Sequence, residues 1–227
     1  MARRAPTLLA LVALLGLAPR SAPAQRVSAE PPAVRVVRAV LRNTRDPRYD
    51  HVTRVDEPRG VYHFDCSGMV RWVLDSATPR AEASLERGLG TRRPLARDYH
   101  RWNASLPEGR PRGHWLRVAR ASELQPGDVL AWTFPPRFRL AITGHVVLVM
   151  NRPRRVSARR LRVQIADSTR NPHDDDTRSR RGTSGPGLGW IDLEYDPRTG
   201  ALTGYQWSHR PGAGLLRVPI NAGRPLE

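Results

Sequence analysis

The stretch of residues 62–74, YHFDCSGMVRWVL, contains the only cysteine of the 227-residue chain and sets it at the start of a helix. Asp65 is a favourable N-cap, because its carboxylate can accept a hydrogen bond from a backbone N–H group of the first turn. The apolar residues that follow have the spacing of a helix with one face against a core: Met69, Val70, Val73 and Leu74. The pattern predicts a helix over 65–74 with Cys66 in its first turn.

The position of Cys66 favours a reactive thiol. Backbone N–H groups in the first turn have no partner within the helix, and the helix dipole is positive there, so both favour a thiolate. The thiolate is the nucleophilic form of cysteine, and the Cys66 N–H group is placed to face a developing oxyanion. The alternative is that Cys66 is a buried apolar side chain without a chemical role.

The composition limits the classes of protein to which the chain can belong. One cysteine excludes a disulfide-stapled domain and a zinc site built from CxxC pairs. The 38 basic residues outnumber the 21 acidic residues, but none of them is lysine. Because phosphate-binding surfaces use both basic residue types, we attribute this bias to codon usage and expect no nucleic-acid partner.

Residues 1–24 have the pattern of a secretory signal peptide. A basic start is followed by an apolar stretch over 8–17 and by small residues that end in Ala22-Pro23-Ala24. The apolar stretch is shorter than the ~20 residues of a membrane span. We expect an exported protein (periplasmic, cell-envelope or extracellular) without a stable membrane span, although an ordinary buried helix is the alternative. A free cysteine in an exported protein requires an explanation.

The remaining patterns predict an α+β domain in which helices precede an antiparallel sheet. Residues 33–41 have helical spacing, whereas 42–60 reads as a polar loop. Residues 80–120 are rich in arginine, glycine and proline and predict irregular structure with at most one short helix. Alternating or continuous apolar runs predict strands over 128–134, 145–150, 161–167, 189–194 and 202–207.

A cysteine nucleophile needs a base, and His145 has the most favourable position among the seven histidines. It opens the apolar strand 145–150, which can hold the imidazole rigidly at the mouth of a cleft. The alternative is an ordinary surface histidine at the start of a strand.

Asp167 is predicted to orient the imidazole of His145. A hairpin in which Met150 lies opposite Leu161 brings the end of the next strand, and with it Asp167, beside His145. A register slip of one residue would bring a neighbouring serine or glutamine instead. A second alternative is that Asp167 only opens the following turn.

These residues lie in motifs that resemble the NlpC (NlpC/p-sixty) family of papain-like cell-wall endopeptidases. Asp65-Cys66-Ser67-Gly68 at a helix start resembles the motif that carries the nucleophile of that family. LQPGDV at 124–129 resembles its L-x-P-G-D-L/V element, and GHV at 144–146 resembles its S/G-H-V strand start. Tyr62 resembles the tyrosine often found shortly before the cysteine. The resemblance covers about residues 33–167, and the aspartate at 167 departs from the usual His, Asn or Gln.

The resemblance implies a papain-like core in which the helix with the cysteine packs on an antiparallel sheet with the histidine. It implies hydrolysis of amide bonds in peptidoglycan stem peptides, with Cys66, His145 and Asp167 as catalytic residues and no metal or cofactor. By the same resemblance, the residues that line the substrate side are Tyr62, Asp65 and Ser67. A catalytically silent binding or scaffold protein of the cell envelope on the same fold remains the alternative.

The predicted domain boundaries follow from these patterns: 1–24 signal peptide, 25–50 N-terminal extension with the first helix, 51–215 catalytic domain, and 216–227 C-terminal tail. Beyond the resemblance, His173 is followed by three aspartates and then a glycine-rich run. We interpret this segment as a loop paired with Arg178, Arg180 and Arg181. A cation site and a substrate-binding loop are the alternatives.

Overall fold

The structure, a computed structural model, describes residues 29–134, 143–179 and 182–227. The predicted signal peptide, residues 1–24, lies outside these ranges. Within them the chain is α+β, with four helices and a mostly antiparallel sheet, which confirms the predicted fold class. Over the same ranges, no helix is both long enough and apolar enough to cross a membrane.

Four helices form in the described residues, and the segment 80–120 contains two of them where one short helix at most was predicted. The helices are α1 (Pro32–Asn43), α2 (Cys66–Ala77), α3 (Pro79–Leu89) and α4 (Ala96–Ser105). Helices α1 and α2 confirm the predictions, whereas α3 and α4 lie in the segment 80–120 that was predicted to be mostly irregular. Pro79 is the first residue of α3, where its missing N–H group costs no helical hydrogen bond. The buried Ala81 and Leu85 then fix α3 against the core.

The strands form one small sheet and one large sheet. The strands are β1 (Asp46–Tyr49), β2 (Arg54–Asp56), β3 (Val61–Phe64), β4 (Trp115–Val118), β5 (Val129–Thr133), β6 (Gly144–Val149), β7 (Arg154–Ser157), β8 (Arg160–Thr169), β9 (Gly185–Tyr195), β10 (Leu202–Gln206), β11 (Leu215–Arg217) and β12 (Ile220–Pro225). The small sheet has the order β1-β3-β2, with β1 parallel to β3. The large sheet has the order β11-β10-β9-β8-β6-β5-β12-β4, and β7 pairs with the start of β8.

Two segments that were predicted to lie outside the sheets belong to them. Strands β1 and β2 occupy the predicted loop 42–60. Strand β12 lies between β5 and β4, so the assignment of 216–227 to a tail outside the domain is wrong. Strand β12 contributes Ile220 and Ala222, two residues apart and both buried, to one face of the sheet. This pairing joins distant parts of the chain, and a local pattern cannot reveal it.

Helices and sheet bury two apolar clusters on the two faces of the large sheet. Helices α2 and α4 cover one face, where Met69 and Val73 of α2 share a core with Leu148 of β6. The other face forms a second core that includes Trp132 and Tyr205. Strand β10 contacts β12 although four strands separate them, so the sheet curls around this second core.

The register between β6 and β8 brings His145 and Asp167 to the same face of the sheet. Leu148 lies opposite Ala166 and Val149 opposite Ile165, so the predicted register of Met150 against Leu161 is wrong by three residues. Counting back from Leu148 sets His145 nearest Thr169. Asp167 is two residues from that position, on the same face and within reach of a long side chain. The predicted contact therefore forms diagonally across the strands.

Candidate active site

The cysteine lies at the first residue of α2, where the cap of the helix is complete. The Asp65 carboxylate accepts hydrogen bonds from the Gly68 N–H group (2.6 Å) and from the Ser67 hydroxyl group (2.9 Å). Cys66 itself is only 7% exposed. Within the described part of the chain its backbone N–H group donates to no acceptor, as expected for the first turn of a helix. That N–H group is therefore available to an oxygen atom of a bound molecule.

His145 lies between Cys66 and Asp167. Its Nε2 atom is 2.6 Å from Oδ2 of Asp167, and the His145 ring lines the same cavity as Cys66. Trp132 and Trp207 enclose the ring, with centroid distances of 5.4 Å and 5.1 Å. Burial lowers the pKa of His145, but the negative charge of Cys66 and the hydrogen bond to Asp167 outweigh it and raise the pKa to about 10. The surroundings of His145 thus favour the protonated ring.

Asp167 is fully buried and carries a charge. Burial raises the pKa of its carboxyl group, but the neighbouring Arg178, His173 and His145 lower it more, so the pKa lies well below its usual range. One carboxylate oxygen faces His145, and the other accepts a 2.8 Å hydrogen bond from Arg178. The structure thus brings together the three residues that the sequence predicted to act as a unit, Cys66, His145 and Asp167.

A cavity of about 400 Å³ opens onto this group of residues. Its lining comes from β1, the α2 start, the α4 start, β6 and the end of β8: Tyr49, His51, Asp65, Cys66, Ser67, Leu95, Ala96, Thr143, Gly144, His145, Thr169, Arg170 and Asn171. Asp65 and Ser67, both predicted to line the substrate side, are among these residues. They also line a second cavity, of about 260 Å³, that extends along α2.

Tyr62, the third residue predicted to line the substrate side, does not reach the larger cavity. It is only 2% exposed, and its ring packs edge-on against Trp72 of α2. Its hydroxyl group accepts a hydrogen bond from the Asn43 amide (3.1 Å). Tyr62 and Phe64 are two residues apart in β3 and therefore share one face of the strand, which packs in the apolar core beneath α2. The structure thus corrects the role of Tyr62 to core packing.

A different tyrosine, Tyr49, lines the larger cavity together with Cys66. It lies at the end of β1 opposite Phe64, two residues before Cys66 in the neighbouring strand and turn. Burial, together with the negative charges of Cys66 and Asp65, raises the pKa of Tyr49 to about 12, so its hydroxyl group stays protonated. The position of Tyr49 beside Cys66 was not predicted, because β1 has the pattern of a polar loop and reaches Cys66 only through the β1–β3 pairing.

The segment after Asp167 folds as a loop paired with arginine, as the sequence predicts. Arg178 donates to both carboxylate oxygens of Asp176, at 2.9 Å and 2.7 Å. Arg180 and Arg181 lie outside the described residues. Across the parts of the chain that the structure describes, no group of three or more His, Cys, Asp or Glu side chains is arranged to hold a metal ion.

Comparison of the chain with protein-family models, with curated proteins and with solved structures finds no match. The interpretation of the site therefore depends on its geometry and on the sequence motifs.

Proposed function

We propose that this protein is an exported thiol hydrolase with a papain-like, NlpC-type core that cleaves amide bonds in peptidoglycan stem peptides. The observation that carries the proposal is one cavity lined by both Cys66 and His145, with the His145 ring hydrogen-bonded on its far side to the buried Asp167. These three residues have the roles of a nucleophile, a proton carrier and an orienting group. The cell-wall substrate rests on the resemblance of the motifs, and export rests on residues 1–24.

The proposed reaction begins with attack of the Cys66 thiolate on the carbonyl carbon of the amide. The resulting oxyanion accepts a hydrogen bond from the Cys66 N–H group. Because Nε2 of His145 is bound to Asp167, Nδ1 remains to give its proton to the leaving nitrogen as the C–N bond breaks. Water then attacks the acyl-enzyme and gives a proton to His145, which releases the carboxylic acid and restores the thiolate–imidazolium pair.

A catalytically silent binding protein is the second candidate. Cys66 and His145 are each only 7% exposed, so a ligand could occupy the cavity without reaching the sulfur atom. Hydrolysis of a peptide separates the two candidates.

The proposed function is tested by incubating the purified protein with isolated peptidoglycan stem peptides and analysing the products by mass spectrometry. We expect two fragments whose masses together equal the peptide plus one water. Prior treatment with iodoacetamide should prevent their formation, because the chain has no second thiol. Intact peptides after prolonged incubation with a reactive Cys66 would contradict the proposed substrate.

The proposal also predicts how activity depends on pH. The imidazolium of His145 is the proton donor, and its pKa is raised from the ordinary value of 6.5 to about 10. The raised pKa means that the contribution of His145 to the stability of the fold is fully present below pH 6.5 and is lost as pH rises through about 10. We expect kcat/KM to fall along the same alkaline limb near pH 10. A limb near pH 7, with the fold intact by circular dichroism, would contradict this assignment.

A further inference from the structure

We infer that Arg178 is a positioning residue for the Cys66–His145 pair, acting through Asp167, and that the segments 173–178 and 185–189 hold it there. This inference rests on the proposed function, since it concerns the same thiol. It gives a function to the His173 loop and to the glycine-rich run, two features of the sequence that Cys66, His145 and Asp167 alone do not explain.

The guanidinium of Arg178 is 2% exposed and uses its donors in two directions. Toward β8, Nη1 donates to the Asp167 carboxylate (2.8 Å), to the Asp167 carbonyl oxygen (3.0 Å) and to the Gly185 carbonyl oxygen (2.8 Å). Toward the loop, Nε and Nη2 donate to the two carboxylate oxygens of Asp176. Because the planar guanidinium of Arg178 is held by Asp176 on one side, its hydrogen bond on the other side fixes the orientation of the Asp167 carboxylate.

Asp176 anchors Arg178 from the far side and is itself held by the backbone. Its carboxylate accepts hydrogen bonds from the N–H groups of His173 (2.8 Å) and Arg178 (2.7 Å). The His173 ring packs against Trp207, with 3.9 Å between the centroids and the rings tilted by 38°. This ring lies between the two carboxylates, with Nδ1 2.8 Å from Oδ2 of Asp176 and Nε2 3.5 Å from Oδ2 of Asp167.

The glycine-rich strand β9 makes room for this cluster. Gly187 lies directly opposite Asp167, and a Cβ atom at Gly187 would be 2.8 Å from Nε of Arg178. A Cβ atom at Gly189 would be 2.6 Å from the Cβ atom of His173. Alternate residues of a strand point to the same face, so the spacing of these two glycines clears one continuous face for Arg178 and His173. Larger side chains there would displace the loop from Asp167.

The aspartate at position 167 explains why such a support is needed. A buried carboxylate without a partner takes up a proton, because burial penalises the charged form. A protonated Asp167 would no longer stabilise the imidazolium of His145. An asparagine, a glutamine or a neutral histidine at position 167 would bury no charge and would need no such partner. Arg178 is therefore required because residue 167 is a charged aspartate.

The test is a double-mutant cycle that uses the reactivity of Cys66 and needs no substrate. The rate of alkylation by iodoacetamide is measured at pH 6.5 and at pH 10.5 for Arg178→Gln, in the wild-type chain and in the Asp167→Asn chain. We expect Arg178→Gln to slow alkylation at pH 6.5 about tenfold, with the rate at pH 10.5 within about twofold of the parent chain. In the Asp167→Asn chain, the same substitution should change the pH 6.5 rate by less than about twofold.

Two outcomes would overturn the inference: a change of less than twofold at pH 6.5 in the otherwise wild-type chain, or an equal loss in both chains. The second is what a purely structural role of Arg178 predicts. Arg159→Gln, at an exposed arginine outside the cluster, is the matched control.

Gly187→Ala tests the inference without removing the arginine, and it decides the question if Arg178→Gln does not fold. The added methyl group displaces the guanidinium, so we expect the same selective loss at pH 6.5. Gly214→Ala, where a Cβ atom meets open space, should behave as wild type. Wild-type alkylation rates in Gly187→Ala would overturn the inference. If the stem peptides stay intact while these alkylation effects appear, the substrate assignment fails and the role of Arg178 stands.

Discussion

Replacing Cys66 with alanine is expected to abolish amide hydrolysis while leaving the fold intact. The nucleophile is lost and no other thiol exists in the chain, so turnover should fall by roughly 10⁵–10⁶-fold. The substitution removes only one buried sulfur atom from the first residue of α2, and the cap made by Asp65 does not depend on it. Turnover of stem peptides and thermal unfolding should be measured on the same preparation.

Cys66→Ser is the control for the shape of the site, because a hydroxyl group is similar in size but is a far weaker nucleophile at neutral pH. We expect it to bind substrate and to show little or no turnover. Activity of Cys66→Ala within about tenfold of wild type, with an unchanged melting temperature, would remove the thiol from the mechanism.

Replacing His145 with asparagine is expected to lower kcat by about 10²–10⁴-fold, the usual contribution of a general acid and base. Asparagine can fill part of the space beside Trp132 but cannot carry a proton to the leaving nitrogen. Alkylation of Cys66 at pH 6.5 should slow in parallel, because the imidazolium that stabilises the thiolate is gone.

The matched control is His114→Asn. His114 lies in a turn that packs beside the last residue, Glu227, and its backbone has a positive φ that asparagine tolerates. It lies outside both cavities beside Cys66 and should keep wild-type activity. An equal loss in both variants would mean that the effect of His145→Asn is a loss of stability rather than of a proton donor.

The elements of the fold that the sequence predicted are those with a strong local pattern. Helices α1 and α2 have clear apolar stripes, and β5, β6 and β8 have continuous or alternating apolar runs. The two helices α3 and α4 were not both predicted, because polar and charged residues, arginine above all, dilute their apolar residues. Strand β12 was missed because only pairing with β4 and β5 makes it a strand.

The site divides in the same way. Cys66 and His145 were predicted because each begins an element whose pattern is visible in the sequence. Asp167 was predicted from a register that is wrong by three residues. It still contacts His145, because in the observed register Asp167 is the diagonal neighbour of His145 on the same face of the sheet. Tyr49 and the role of Arg178 were missed because they reach the site through the β1–β3 pairing and through a loop without periodicity.

The rate of Cys66 alkylation as a function of pH is the most direct test of whether Cys66 and His145 form a thiolate–imidazolium pair. Because the chain has one cysteine, every modified thiol reports on this position. We expect a rate that is nearly constant from about pH 6 to pH 9 and that becomes strongly pH-dependent in His145→Asn. A wild-type rate that rises with a midpoint near ~8.5, as for an ordinary thiol, and that His145→Asn leaves unchanged would contradict this expectation.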